Sequence, residues 1–489
     1  MLKTAGWLLP AILALAGCSS SGQRHEQTLS QALTALGQDK ALIGASNGVM
    51  VRDAESGTVL YQAHAQQRLA PASNMKMFTS LAAFGVLGAD YRFETRLLTT
   101  GEQRGDTLRG DLYLQGSGDP TLHPDDLDSF AATLAQRGIR HIHGRLILDA
   151  SAFDQTPFGA GWSWDDEPFA FAAPISALNY AFTPGGDINV VRVDVQPGAR
   201  AGAPGRVSFY PANDAVTLVN RTTTTGGDTA LTFDRQPGSN RIVVSGTVAA
   251  QAEASSRLIT VDQPARVVGA LLQNALRAHG ITLRGNAEEG VTPAGARLLA
   301  EKTSPPLSRL AVTFLKVSNN GYGEVLTKAM GRKTQGKGDC AAGLQAIGRF
   351  VQSQGIETGA YRQVDGSGLS RMNQITPQQL TTLLLAARKQ PWFADWYNAL
   401  PIAGQPGLLV GGTLRSRMVK SAAAGRAHAK SGSMTGVSSL SGYVDSATGR
   451  PLAFAIISNN YLVPGAEVKA LEDRLVETLA ACDATVVCR

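Results

Sequence analysis

The sequence predicts an α/β protein of the α+β kind, with an antiparallel sheet flanked by helices and a large β-rich insert. Three observations lead there. Near the N-terminus, residues 26–36 carry helical spacing (Leu29, Leu33, Leu36) and stop near Gly37; Gly48 to Val51 and Val59 to Tyr61 then alternate around the turn Asp53 to Gly57, as a hairpin does. The far end mirrors this, with strands over Leu440 to Val444 and Leu452 to Ile457, a turn at 445–451 and a closing helix over 467–480. A helix and a hairpin at each end imply that both ends share one sheet. Between them, 95–305 has a different texture. Short alternating segments (Val191 to Val195, Val207 to Tyr210, Leu231 to Phe233, Arg241 to Val244) sit among Gly/Pro turns, as in a β-rich insert of two nested pieces.

Composition agrees with a folded globular protein. Hydrophobic residues are 43% and charged residues 17% of 489, which excludes disorder over most of the chain. A net charge of +6 is small for this length and makes no case for nucleic acid. Four Cys exclude a disulfide-dense scaffold, and no solenoid repeat is visible.

The first residues read as an address. An apolar run from Trp7 to Ala16 follows Lys3 and is too short for a permanent membrane span. Its ending, Leu15-Ala16-Gly17-Cys18, resembles the bacterial lipobox. That resemblance implies a lipoprotein signal peptide over 1–17, acylation of Cys18, a polar tether over 18–28 and membrane attachment through the lipid. Ser19 after the cysteine favours outer-membrane sorting on the periplasmic side.

Chemistry begins at Ser73-Asn74-Met75-Lys76, which opens an apolar helical pattern (Met77, Phe78, Leu81). Residues three apart share a helix face, so Lys76 can reach the Ser73 hydroxyl. A serine becomes a nucleophile when a base takes its proton, and a lysine serves as that base once its pKa is lowered. Ser-x-x-Lys alone carries little weight, but two further motifs follow in order. Ser318-Asn319-Asn320 comes after an apolar stretch and before a helical pattern. Lys430-Ser431-Gly432-Ser433 precedes the strand at 440–444. Ser-x-x-Lys, Ser-x-Asn and Lys-Ser/Thr-Gly in this order mark the penicillin-recognising serine enzymes. Ser458-Asn459-Asn460 also fits Ser-x-Asn, but lies after the third motif and reads as a turn.

The chain resembles the class C low-molecular-mass penicillin-binding proteins, D-alanyl-D-alanine carboxypeptidases and endopeptidases of peptidase family S13. The resemblance extends to Pro71-Ala72-Ser73, Gly116 to Leu122, the tryptophan segment Gly161 to Asp166 with Ala173 to Leu178, the glycine-rich turn Asp365 to Arg371, and Gly411 to Leu414. It covers nearly all of 30–460. It departs at Asn319, where the family often has Asp, and at Ser431, where Thr is common. It implies a transpeptidase-like catalytic domain over 29–94 and 306–489, interrupted by the insert at 95–305. The implied substrates are peptidoglycan stem peptides, with β-lactams as inhibitors and no cofactor or metal. Residue by residue, Ser73 would attack the carbonyl between two D-alanines and Lys76 would take its proton. Ser318 would relay a proton to the leaving amine, bridging Lys76 and Lys430. Asn320 would hold the substrate amide. Lys430, Ser431 and Ser433 would bind the terminal carboxylate. The N–H groups of Ser73 and Ser433 would form an oxyanion hole, and the charge of Lys430 would keep Lys76 neutral.

Other readings carry less. Gly44 to Gly48 matches Gly-x-Ser-x-Gly, but with the helix before and the strand after, the reverse of an esterase elbow; Ser46 reads as a turn residue. His141 and His143 could be metal ligands, yet no paired ligand accompanies them and a surface strand suffices. Trp162 and Trp164 suit either a sugar platform or packing of the insert. Cys482 and Cys488 are close enough to pair in an exported protein, and Cys340 reads as a buried thiol. A serine β-lactamase would share the three motifs, but no Glu-x-x-Leu-Asn-like segment lies between the first and second. A non-catalytic peptidoglycan-binding lipoprotein would not need the intact nucleophile and lysines.

Overall fold

The computed structural model describes residues 28–482. Cys18 and Cys488, with the lipidation and the pairing expected of them, lie outside the described residues. The first helix, α1 (Leu29–Gly37), starts at a capping box in which Thr28 and Gln31 satisfy each other's backbone N–H groups. Strands β1 (Ser46–Asp53) and β2 (Val59–Ala63) form the first hairpin. Its turn is fixed by Asp53, whose carboxylate accepts from the N–H groups of Glu55 and Ser56, and by Gly57 at φ 74°. Ser46 opens β1 rather than forming a turn, because it pairs with Asn459 across the sheet.

Helices α2 (Met75–Leu87), α3 (Leu307–Lys316), α4 (Asn320–Gln335) and α5 (Pro377–Ala387) follow, and then β3 (Ala427–Met434), β4 (Val437–Asp445), β5 (Pro451–Asn459) and α6 (Gly465–Ala481). The five strands make one antiparallel sheet in the order β3-β4-β5-β1-β2. Both chain ends therefore share a sheet, as the hairpins imply. Side chains on a strand alternate between faces. Leu452, Phe454 and Ile456 of β5 bury against α1 and α6 on one side. Ala453, Ala455 and Ile457 bury on the other, in the core that contains α2, α4 and α5. The result is a helix–sheet–helix sandwich with α2 at its centre.

The insert leaves after α2 and returns before α3. Its first strand (Glu94–Thr99) and its last (Arg297–Thr303) pair antiparallel in a second five-stranded sheet, so the chain returns close to where it left. Two smaller three-stranded sheets are nested within it, between Val190 and Thr260. Strand patterns alone do not describe this insert. It also holds helices Pro124–Gln136 and Pro264–Ala278, which share a core with its strands. Both open with proline at the first helical position and carry apolar residues at helical spacing (Leu127, Phe130, Ala131, Leu134). The His141–Ile142 strand is a surface one, with His141 exposed. Cys340, at the start of a helix, is half-buried rather than fully enclosed. Among the described residues no helix is long and apolar enough to cross a membrane.

Ser458 and Asn459 are not a turn but the buried end of β5, continuing its ladder with β4 and β1. The Asn459 amide accepts from Ala70 N–H at 2.7 Å and donates to Ala70 C=O at 3.0 Å, clamping the approach to α2. Asn459→Ala should leave both backbone groups buried and unpaired, and destabilise the fold by roughly 1–3 kcal/mol. A shift of the urea midpoint at unchanged slope would show it.

Candidate active site

Ser73 lies in a single 3₁₀ turn, Ala72–Asn74, that runs directly into α2. The turn is strained: Ala72 sits at φ 47°, where residues with a Cβ are uncommon. Close packing holds it there. A Cβ on Gly368 would stand 2.0 Å from the Ala72 carbonyl oxygen. A Cβ on Gly432 would stand 2.7 Å from Pro71 O and 3.0 Å from Ser73 N, so β3 passes beside the Ser73 amide only as glycine. Buried Asn74 donates to Ser439 Oγ at 2.6 Å, and Ser439 Oγ donates to Pro71 O at 2.6 Å. The motif around Lys430 is itself the strand β3, at the edge of the sheet.

One helical turn on, Lys76 is fully buried. Its Nζ lies 2.9 Å from Ser73 Oγ, 2.6 Å from Asn320 Oδ1 and 2.6 Å from Ser367 O. Ser318, at φ 62°, begins the turn into α4, which Asn319 caps by accepting from Tyr322 N–H. Lys430 Nζ donates to Ser318 Oγ at 2.8 Å and to Ser431 O at 2.6 Å. Of the expected Ser318 bridge the Lys430 arm is formed, while Lys76 is held by Ser73, Asn320 and Ser367. Asn320 is more committed than its expected role suggests, since its Nδ2 donates to Phe171 O of the insert at 2.8 Å. One N–H of that amide is left to face a ligand. Ser431 Oγ donates to Thr413 Oγ1 at 2.8 Å, and Ser433 is exposed at the strand's open end.

The cleft over Ser73 has a volume of about 370 Å³ and is lined by Ser73, Ser318, Asn320, Asp166, Arg371 and Ser433, among others. Lys430 and Ser431 do not line it; Lys430 lies behind Ser318, wholly buried. Trp162 donates through Nε1 to Asp365 at 3.0 Å, which makes it a packing residue between the insert and the glycine-rich turn, while Trp164 is 81% exposed.

Sequence reasoning misses Glu324 and the Ser367 carbonyl. Glu324 is buried on α4 and accepts from the N–H groups of Gly366 (3.0 Å) and Ser367 (2.8 Å). It thereby aims Ser367 O at Lys76. Its partners lie some forty positions away, so nothing local marks it. One carbonyl of the glycine-rich turn therefore touches the Lys76 amine.

Burial brings the Lys76 pKa down to about 7, against the opposing pull of Asp365 and Glu324. Burial, with the Lys76 charge, holds Lys430 well below the ordinary lysine range. The low Lys76 value is therefore chiefly a desolvation effect rather than the work of the Lys430 cation. Burial next to Asp365 raises Glu324 to about 7. An amine of pKa near 7, at hydrogen-bond distance from a hydroxyl, can act as a general base at neutral pH. Among the described residues no group of three or more His, Cys, Asp or Glu is placed to hold a metal.

The model of the D-Ala-D-Ala carboxypeptidase 3 (S13) family matches residues 29–482. A D-alanyl-D-alanine carboxypeptidase of Actinomadura sp. (strain R39) is 41% identical over 480 residues, covering 97% of this chain and 88% of that one. The D-alanyl-D-alanine carboxypeptidase DacB of Haemophilus influenzae is 28% identical over 440 residues, covering 89% of each chain. The crystal structure of penicillin binding protein 4 (dacB) from Haemophilus influenzae matches at TM-score 0.80 and 27% identity, covering 91% of this chain and 98% of that one. A structure of that protein complexed with a β-lactam matches at TM-score 0.75 and 26% identity, with the same coverage.

Acylation of the serine should rise with pH through about 7, as Lys76 loses its proton. In Glu324→Gln the amide oxygen can replace Oε1, which accepts from both Gly366 and Ser367 N–H, but the N–H₂ then stands where Oε2 accepts from Gly366 N–H, and the uncharged acceptor loosens the Ser367 carbonyl. The maximal acylation rate should fall about tenfold or more, the effect of losing roughly 1.5–3 kcal/mol of charge-assisted hydrogen bonding. With one carboxylate fewer to favour its ammonium form, Lys76 should titrate lower, moving the acid limb to lower pH. A pH–rate profile with a fluorescent penicillin reads both effects; an unmoved limb would count against this role.

Proposed function

Because the chain belongs to the D-Ala-D-Ala carboxypeptidase 3 (S13) family, we propose a serine acyl-transfer mechanism carried by the residues around Ser73. The protein is a serine D-Ala-D-Ala carboxypeptidase of the penicillin-binding type, acting on peptidoglycan peptides outside the cytoplasm. The observation that carries the assignment of roles is the fully buried Lys76 amine at 2.9 Å from Ser73 Oγ.

In this reading neutral Lys76 takes the Ser73 proton as Oγ adds to the carbonyl of the penultimate D-alanine. The N–H groups of Ser73 and Ser433 hold the oxyanion. The amide C–N bond breaks, and the leaving amine takes the proton that Lys76 received, relayed through the Ser318 hydroxyl beside Lys430, so that Lys76 is neutral again. Water then cleaves the ester, with Lys76 again as base, and restores Ser73. Asn320 presents its remaining N–H to the substrate amide. The exposed Ser433 hydroxyl carries the carboxylate site, Ser431 supports it from outside the cleft with its own hydroxyl on Thr413, and Lys430 supplies the positive potential behind Ser318. Residues 29–94 and 306–489 form the catalytic unit, and 95–305 the inserted one, which supports the site through the Phe171 carbonyl. The lipobox-like ending at Cys18 supports a lipid anchor on the periplasmic side of the outer membrane.

The test of the activity is purified protein on defined muropeptides, with products separated by mass. Release of D-alanine from a pentapeptide is expected, and Ser73→Ala should abolish it together with the penicillin adduct. Lys76→Ala should cost on the order of 10³-fold or more in acylation by any donor. Lys430→Ala should slow a carboxylated donor more than an uncharged thioester, and Lys430→Arg should rescue only in part, since a guanidinium lacks the compact geometry. Equal losses on both donors would refute that division of labour. Cys18→Ala should release the protein from the membrane fraction.

A further inference from the structure

Among the described residues four lysine side chains are buried: Lys76, Lys316, Lys328 and Lys430. Lys76 and Lys430 belong to the site, and Lys328 is neutralised by an ion pair with Asp154. Lys316 is left without such a reason. It is the last residue of α3, two positions before Ser318, and its Nζ donates to the carbonyl oxygen of Leu400. Burial alone moves its pKa, down to about 8, so at neutral pH it is still chiefly a cation. A buried cation with a single carbonyl for partner is costly, and an apolar side chain of the same length would fill the space at no such cost.

Leu400 opens a segment that lies between the end of α3 and the free edge of β3. Pro401 O accepts from Ala429 N–H at 2.9 Å, Ala403 N–H donates to Ala427 O at 2.9 Å, and Ile402 bridges to His428, so 401–403 line the edge of the strand. Farther along, Gly412, at φ 57°, packs on the backbone of Lys316, where a Cβ would stand 2.2 Å from Lys316 O. Its neighbour Thr413 accepts from Ser431 Oγ at 2.8 Å. Residues 400–413 therefore touch β3 at Ala427, Ala429 and Ser431, on both sides of Lys430. They touch α3 twice at Lys316, once through its side chain and once through its carbonyl.

We propose that Lys316 is a positioning residue, which sets the contact between Ser318 and Lys430 by fastening the end of α3 to the segment that edges β3. The inference rests on the acyl-transfer reading above, in which Ser318 delivers a proton to the leaving amine. Ser318 and Lys430 are 112 positions apart, and Lys430 Nζ meets Ser318 Oγ at 2.8 Å from the end of a flexible stem. That distance holds only while the 317–318 turn and β3 keep their spacing. The Lys316 cation on Leu400 O is a charge-assisted hydrogen bond within two residues of Ser318, stronger than the neutral backbone contacts around it. Lys316 does not enter the cleft over Ser73, so it touches no substrate.

The test uses the full-chain protein with two acyl donors: a pentapeptide, whose leaving amine needs a proton, and an uncharged thioester, whose thiolate leaves without one. Lys316→Met should lower kcat/KM for D-alanine release about tenfold or more, as loss of a charge-assisted hydrogen bond does. On the thioester it should stay within about twofold of wild type, which also reports intact folding. Lys316→Arg should recover part of the loss, since the guanidinium keeps the charge. Combined with Ser318→Ala, Lys316→Met should cost nothing further, because a residue that acts through Ser318 has nothing left to position. Losses that add in the double variant, an equal loss on both donors, or an unchanged pentapeptide rate in Lys316→Met would each overturn the positioning role. A Ser318→Ala enzyme as fast as wild type would overturn the relay beneath it, and the positioning role with it.

Discussion

Lys76 and Lys430 face each other across the site, and both side chains are fully buried. An ammonium in a low-dielectric interior is costly unless it is neutralised or surrounded by acceptors. Much of the surrounding architecture answers that requirement. Lys76 draws in Asn320 from one helix and Ser367 from a turn, and Lys430 draws in Ser318. The elements so gathered (the start of α2, the 318–320 turn, β3 and the glycine-rich turn) make up the site. Stability and reactivity share one origin here: the burial that must be compensated is also what lowers the Lys76 pKa to about 7 and lets a neutral amine stand beside Ser73.

Compensation is deliberately incomplete around Lys76. Its nearest acceptors are neutral oxygens, and the carboxylates of Glu324 and Asp365 act on it one step removed, Glu324 through the Gly366–Ser367 backbone. A carboxylate in direct contact would lock the amine as a cation and end its use as a base. Setting the acids behind a peptide unit keeps the field that orients the amine while leaving its proton exchangeable. The glycines permit this layering, since Gly366, Gly368 and Gly432 each bring backbone closer to backbone than a Cβ allows.

What could be read from the sequence follows from spacing. The Ser73–Lys76 contact is a property of one helical turn, and the hairpins at each end announce themselves by alternation around short turns. The Lys430 strand is harder to see, because Ala427 to Ser433 contains no β-branched or large aromatic residue and is a strand only through its pairing with β4. Glu324 reads as an ordinary helix residue until the turn at 366–367 is placed against it. The helices at 124–136 and 264–278 were legible, with proline starts and apolar stripes, but the surrounding strand patterns dominate the region. Asn459 resembles a catalytic motif and is instead a clamp, a distinction that rests on its contact with Ala70.

The pairing of β1 with β5 joins Ser46–Asp53 to Pro451–Asn459. In chain order Ser73 and Lys76 come early, yet the strand bearing Lys430 and the clamp on Ala70 come late. Without them the 71–74 turn lacks the Ser439 and Gly432 contacts that hold it, and Lys76 lacks part of the enclosure that lowers its pKa. The arrangement around Ser73 is therefore complete only once the last strands of the sheet have paired. By the same logic, a chain cut before β3 keeps Ser73 and Lys76 but loses the strand that lines one side of their turn.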